Sequence, residues 1–169
     1  MLLRRELPVD QSAVRAVHSA AFGGGAVVAE ARLVDDLRAD GDVIAALSIV
    51  AVLDGDVVGH VICSRASIGD QPSIGLGPLG VIPAYQRRGV GQALMHAVLA
   101  AADSLDEPAV ASLGEPAYYS RFGFVAGATL GVLPPVPEWG QYFQVRPLSA
   151  WDDSLQGIFR YAQAFDRLS

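Results

Sequence analysis

The stretch Leu79-Gly-Val-Ile-Pro-Ala-Tyr-Gln-Arg-Arg-Gly-Val-Gly-Gln-Ala-Leu94 constrains this chain more than any other. An apolar, strand-like run ends in a turn holding Gly89 and Gly91, and a helical pattern opens directly behind it. The first N–H groups of a helix have no intrahelical acceptor, and the helix dipole adds partial positive charge at that end. The predicted ligand is therefore an anion, a pyrophosphate above all. Gly89 and Gly91 carry no side chain to hold a phosphate off the backbone, and Arg87 and Arg88 add charge. Two familiar phosphate loops do not fit. A Walker loop needs Gly-Lys followed by Ser or Thr, where this chain has Gly91-Gln92-Ala93, and the dinucleotide fingerprint needs a third glycine where Leu94 stands.

Around this junction the pattern alternates between β and α. Leu2 to Leu7 reads as a strand, and Pro8 opens a helix with Val14, Val17, Ala21 and Phe22 at helical spacing. Gly23, Gly24 and Gly25 break it, and a second amphipathic helix is predicted from Val27 to Arg38, burying Leu33, Val34 and Leu37, with Gly41 closing it. Val43 to Ile68 is rich in β-branched residues and is split by Asp54-Gly55, a pair suited to a tight hairpin. Ile74 to Ile82 predicts a further strand whose glycines and proline mark a bulge or a close backbone approach. A helix from Gly89 to Ser104 is expected to bury Val90, Leu94, Val98, Ala101 and Leu105. Strand Ala109 to Leu113, a short helix from Pro116, a strand near Phe124 and another around Tyr142 to Val145 complete the series.

At 169 residues one domain suffices. Charged residues or glycine interrupt every apolar run before the ~20 residues of a membrane helix, so no membrane partner is expected. The basic pair Arg4-Arg5 follows the apolar start and no apolar run comes after it, the wrong order for a secretory signal; the expected location is the cytoplasm. The formal charge of −6 argues against nucleic acid and points weakly to a cationic partner. Cys63 is the only cysteine, which excludes an intrachain disulfide and a cysteine-built zinc site, and its strand neighbours mark it as inert filler. No metal is expected.

The segment Gln86-x-x-Gly89-x-Gly91, preceded by Val81-Ile82-Pro83, resembles the acetyl-CoA signature of the GNAT superfamily of N-acetyltransferases. A second stretch, Leu113-Gly-Glu-Pro-Ala-Tyr-Tyr-Ser-Arg-Phe-Gly-Phe124, resembles the later GNAT motif, in which a tyrosine precedes a Gly-Phe pair by four residues, as Tyr119 precedes Gly123-Phe124. Its Gly-x-Pro-Ala-Tyr-Tyr-x-Arg-Phe-Gly-Phe wording is similar to a bacterial subgroup of N-acetyltransferases. The likeness covers about Leu2 to Val145. One departure is that Glu115-Pro116 stands where many relatives carry a CoA-contacting Asn; proline there still makes a sound helix start.

The resemblance implies a mixed α/β fold, with a mostly antiparallel twisted sheet, one splayed strand pair and helices on both faces. It implies a domain over residues 1–147, with residues 148–169 as an extension packed on it. It implies transfer of an acetyl group from acetyl-CoA to a primary amine, carried by a small molecule or by a peptide (a protein N-terminus or lysine), by direct attack in a ternary complex. The alternative is an acyl-CoA-binding sensor or interaction module without efficient transfer. The implied cofactor contacts are Leu79, Gly80, Val81, Gln86, Arg87, Arg88, Gly89, Val90, Gly91, Gln92, Tyr119 and Phe122. Within these the Val81 N–H would polarise the thioester carbonyl, and Tyr119 would protonate the departing thiolate.

The base on the acceptor side is not singled out. Glu30, beside the glycine loop, and His60, on the strand after the hairpin, are the candidates, and each also has an ordinary structural role open to it. His18 and His96 read as surface or packing positions. The apolar, proline-rich run between Gly127 and Gly140 reads as a wall of the acceptor pocket. Trp139, Tyr142 and Phe143 are open to contact with the acceptor or with a second copy of the chain, or to core packing; the tail from Trp151 to Phe165 is apolar enough to dock.

Overall fold

A computed structural model describes residues 1–23 and 28–168 of the chain. The described elements are β1 (Leu2–Arg5), α1 (Gln11–Phe22), α2 (Ala29–Asp40), β2 (Val43–Leu53), β3 (Asp56–Ile68), β4 (Gln71–Val81), α3 (Val90–Ser104), β5 (Ala109–Leu113), α4 (Pro116–Tyr119), β6 (Val125–Ala126), β7 (Val132–Leu133), β8 (Phe143–Pro147) and β9 (Gly157–Arg160). The expected break at Gly24 and Gly25 and the expected helix start at Val27 lie outside the described residues. β1 stops at Arg5 because the chain turns inward: the Glu6 N–H donates to the Ser48 carbonyl, and the Leu7 N–H donates to the Asp10 carboxylate.

The sheet runs β1-β2-β3-β4-β5-β8-β6, and all pairs along it are antiparallel except β4 with β5. Asp54 and Gly55 both adopt positive φ, 51° and 86°, which matches the twist a two-residue hairpin needs between β2 and β3. Strand alternation assigns the two faces. Ile49, Ala51, Val61 and Cys63 pack with Val90, Leu94 and Val98 of α3, while Val50 and Ile62 pack on the opposite side with Val14 of α1 and Val34 of α2. Helices thus cover both faces of a mixed, mostly antiparallel sheet.

Two departures from the sequence reading concern where surfaces are buried. Leu105 was placed in the buried stripe of α3 but stands 45% exposed. The helix ends at Ser104, so Leu105 falls out of phase, and Met95 and Ala102 fill the stripe instead. The tail does more than dock: β9 pairs antiparallel with the end of β3 and parallel with β7, burying Phe159 completely. Neither short strand was predicted, since two to four residues carry no detectable period.

No helix among the described residues is long and apolar enough to cross a membrane.

Candidate active site

β4 and β5 share a parallel register only at Ile74↔Val110 and Gly75↔Ala111. Beyond this the strands part, and a register shift against β3 between Val61 and Cys63 places a bulge in β4 near Gly77 and Pro78. The Ile82 N–H donates to the Val58 carbonyl on β3. By strand alternation the Leu79 and Val81 N–H groups therefore point the other way, into the gap.

This bare edge leads straight to the start of α3. Gly89 caps that helix at φ 83°, in the left-handed region, with nothing near the position a Cβ would take. Arg87 is also left-handed, at φ 61°, and Gln86 ties the loop back by donating its side-chain N–H to the Val81 carbonyl at 3.0 Å. The α3 amides consequently open onto a groove of about 460 Å³ that Leu79, Gly80, Val81, Gln86, Arg87, Gly89, Gly91 and Gln92 line. Across it stand Tyr118 and Arg121, with Ala21 and Phe22 from α1. Burial holds the Tyr118 hydroxyl above the ordinary phenol range, so it is neutral at pH 7.

Four of the anticipated cofactor contacts have side chains outside the groove lining: Arg88, Val90, Phe122 and Tyr119, the last lining a second cavity. Val90 and Phe122 are 4% and 5% exposed, with apolar side chains in the core beneath α3, although Val90 still offers its backbone N–H at the first position of that helix. Arg88 lies over the Tyr85 ring, 5.6 Å from its centroid, outside the groove lining. Tyr118 and Arg121 were not assigned to this groove from sequence. The available signal was Arg121 itself, a cation three positions after Tyr118 whose guanidinium lies 5.1 Å over that ring.

On the other side of Leu79 lies a second cavity of about 520 Å³. Its walls come from five separate stretches: Phe22 and Glu30 near the α1–α2 connection, Leu76 to Leu79 on β4, Ser112 and Leu113 on β5, Tyr119, and a cover of Trp139, Tyr161, Phe165 and Leu168. Tyr119 is half-buried, edge-on to Tyr118 and Phe124 at 5.2 and 5.3 Å. Leu79 and Phe22 border both cavities, so the two meet at the splayed strand. Of the residues between Gly127 and Gly140, Trp139 supplies the wall; Phe143 is fully buried in the core and Tyr142 is exposed.

The two base candidates fare differently. Glu30 lines this second cavity. His60 is fully buried, with Nδ1 2.8 Å from His18 Nε2 and Nε2 2.8 Å from Ser48 Oγ and 3.2 Å from Glu6 Oε2. Both of its ring nitrogens are engaged inside the protein, which removes it as a direct acceptor of a substrate proton. His18 is buried as well, and burial together with His60 pushes its pKa down to about 3. Burial also lowers His60, against the pull of Glu6, so the pair is neutral at pH 7. Burial alone would raise the Glu6 carboxyl, but His60 and Arg38 outweigh it and hold it below its usual range. Cys63 is buried, which raises its thiol pKa and makes it a poor nucleophile. No group of three metal-ligating side chains occurs among the described residues.

Residues 45–126 match the family model described as an acetyltransferase (GNAT) domain. Over 173 aligned residues the chain is 35% identical to the N-acetyltransferase YhbS of Escherichia coli, covering 99% of each. This chain belongs to the GNAT acetyltransferase family. Among solved GNAT structures, that of E. coli YhbS in complex with CoA superposes with a TM-score of 0.91 at 33% identity, covering 99% of this chain and 93% of the other. A GNAT acetyltransferase from Brucella melitensis in complex with acetyl-CoA superposes with a TM-score of 0.81 at 36% identity, covering 98% and 97%.

Proposed function

We propose that this GNAT protein binds acetyl-CoA and transfers its acetyl group to a primary amine by direct attack in a ternary complex. The observation that carries the reading is the continuity of the groove. A bare strand edge at Leu79 to Val81 runs into open helix amides at Gly89 to Gln92, with Tyr119 beside Leu79 at the other end. The CoA and acetyl-CoA held by the two solved relatives support the same ligand here.

In this reading the pyrophosphate takes hydrogen bonds from the α3 amides, with Arg87 and Arg121 supplying charge. The pantetheine lies along β4 as an added strand. The Val81 N–H donates to the thioester carbonyl as the amine nitrogen adds to its carbon, stabilising the oxyanion. The tetrahedral adduct, its N–C bond already made, collapses to the amide as the C–S bond breaks, and the Tyr119 phenol gives its proton to the leaving thiolate. Glu30 is the carboxylate on the acceptor side and receives the amine's proton directly or through water. No covalent enzyme intermediate is needed.

Titration calorimetry with CoA and acetyl-CoA tests the groove. Saturable one-to-one binding that Gly89→Val weakens at least tenfold supports the reading, and folded protein that evolves no heat with either ligand refutes it.

A further inference from the structure

The acceptor cavity carries a chemistry of its own. Among its described lining residues Glu30 is the only one that is an Asp, Glu, His, Lys or Arg, and Glu30 makes no ion pair or side-chain hydrogen bond among the described residues. The other polar groups are Ser112, Trp139 and two phenols, and burial raises the Tyr161 hydroxyl above the ordinary phenol range. The remaining walls are aromatic and aliphatic, with Phe22, Trp139, Tyr161 and Phe165 around Leu79. The undescribed stretch 24–27 is Gly-Gly-Ala-Val and adds no charge by its sequence.

No cation among the described residues lines this cavity to neutralise an acidic substrate, and burying an unpaired carboxylate or phosphate there is costly. A single carboxylate in an apolar aromatic chamber suits one ammonium group and an uncharged body. The cover is held in place. β9 is hydrogen-bonded to β3, and Arg167 pairs with Asp40 at 2.5 Å and Asp36 at 3.5 Å on α2. The chamber is therefore walled by the chain's own tail, and it favours a compact molecule over an extended peptide.

Resting on the acetyl-transfer reading above, we propose that the acceptor is a small primary amine with an aromatic or bulky aliphatic body and no acidic group. Its ammonium faces Glu30, and its body packs against Trp139, Tyr161 and Phe165. This cavity thereby selects against amino acids, phosphorylated amines and polycations.

The test measures CoA-thiol release with 2-phenylethylamine, phenylalanine, spermidine, an aminoglycoside and a short peptide. Amine binding to CoA-loaded protein is followed in parallel by calorimetry. The expected result is a kcat/KM for 2-phenylethylamine at least tenfold above each of the others. Trp139→Ala and Glu30→Gln are each expected to raise its KM about tenfold while leaving the KM for acetyl-CoA within twofold. Preference for any of the charged or peptide acceptors overturns the proposal, as does failure of CoA-loaded protein to bind 2-phenylethylamine, and either leaves the acetyl-CoA groove intact. Failure of CoA itself to bind overturns both readings.

Discussion

The two cavities that meet at Leu79 are built on different principles. The groove at α3 draws most of its lining from one continuous stretch, Leu79 to Gln92, in which three glycines leave the backbone open. The second cavity draws its lining from segments as far apart as Phe22 and Leu168. The first handles a ligand through hydrogen-bond geometry that any correct strand-turn-helix supplies, and the second handles it through shape and one charge. A cofactor site of this kind survives sequence drift, whereas an acceptor site can be respecified by a few side chains in the tail.

Substitutions can break this contrast. Tyr119→Phe removes one oxygen from the wall of the second cavity and should lower kcat about 100-fold, the size expected for a lost general acid. The Kd for CoA should stay within twofold, and unchanged turnover in a stopped thiol-release assay would retire the acid assignment. Gly89→Val acts on the groove alone. A β-branched residue at φ 83° costs on the order of 1–3 kcal/mol and places carbon before the α3 amides, so the Kd for CoA should rise at least tenfold.

Gly80→Ala tests the rigid backing of the groove. A Cβ at that position would stand 2.7 Å from His18 Nδ1, and overpacking of this kind costs about 1–3 kcal/mol. Thermal melting should show a loss of several degrees, and the double variant with His18→Ala should lose less than the two single losses added together.

A further effect belongs to pH. His18 has a folded pKa of about 3 against an ordinary value of 6.5. Between those values the unfolded chain holds a proton that the folded chain lacks, so stability falls as pH drops. The contribution is complete above pH 6.5 and declines toward about 3, by up to about 1.4 kcal/mol per pH unit for one histidine. His60, also lowered, adds in the same direction, and the lowered carboxyls of Glu6 and Asp10 add further loss at the acid end. Denaturant melts from pH 8 to 4 should show this slope, flattened in His18→Gln; a flat wild-type profile between pH 6.5 and 5 would contradict a neutral buried pair.

Legibility followed the same division. The hairpin at Asp54-Gly55, the strand break near Gly77 and the helix start at Gly89 all announce themselves locally, because φ demands and missing side chains are properties of single residues. The splay itself was anticipated only through resemblance. His60 looked as eligible as Glu30, since a histidine's type does not reveal which way its strand faces. Only the fold turned it inward onto His18, Ser48 and Glu6. The side chains of Val90 and Phe122 turn to the core, so that Val90 has only its backbone N–H to offer the groove.

The sequence alone determined the family and the glycine turn into α3, because both depend on short-range spacing that one segment carries complete. Tertiary structure decided which face of β3 and β4 meets each helix, that Tyr118 and Arg121 close the groove, and that the tail covers the second cavity. Those outcomes rest on contacts between residues up to the length of the chain apart, and no local pattern encodes a partner that folding has yet to bring near.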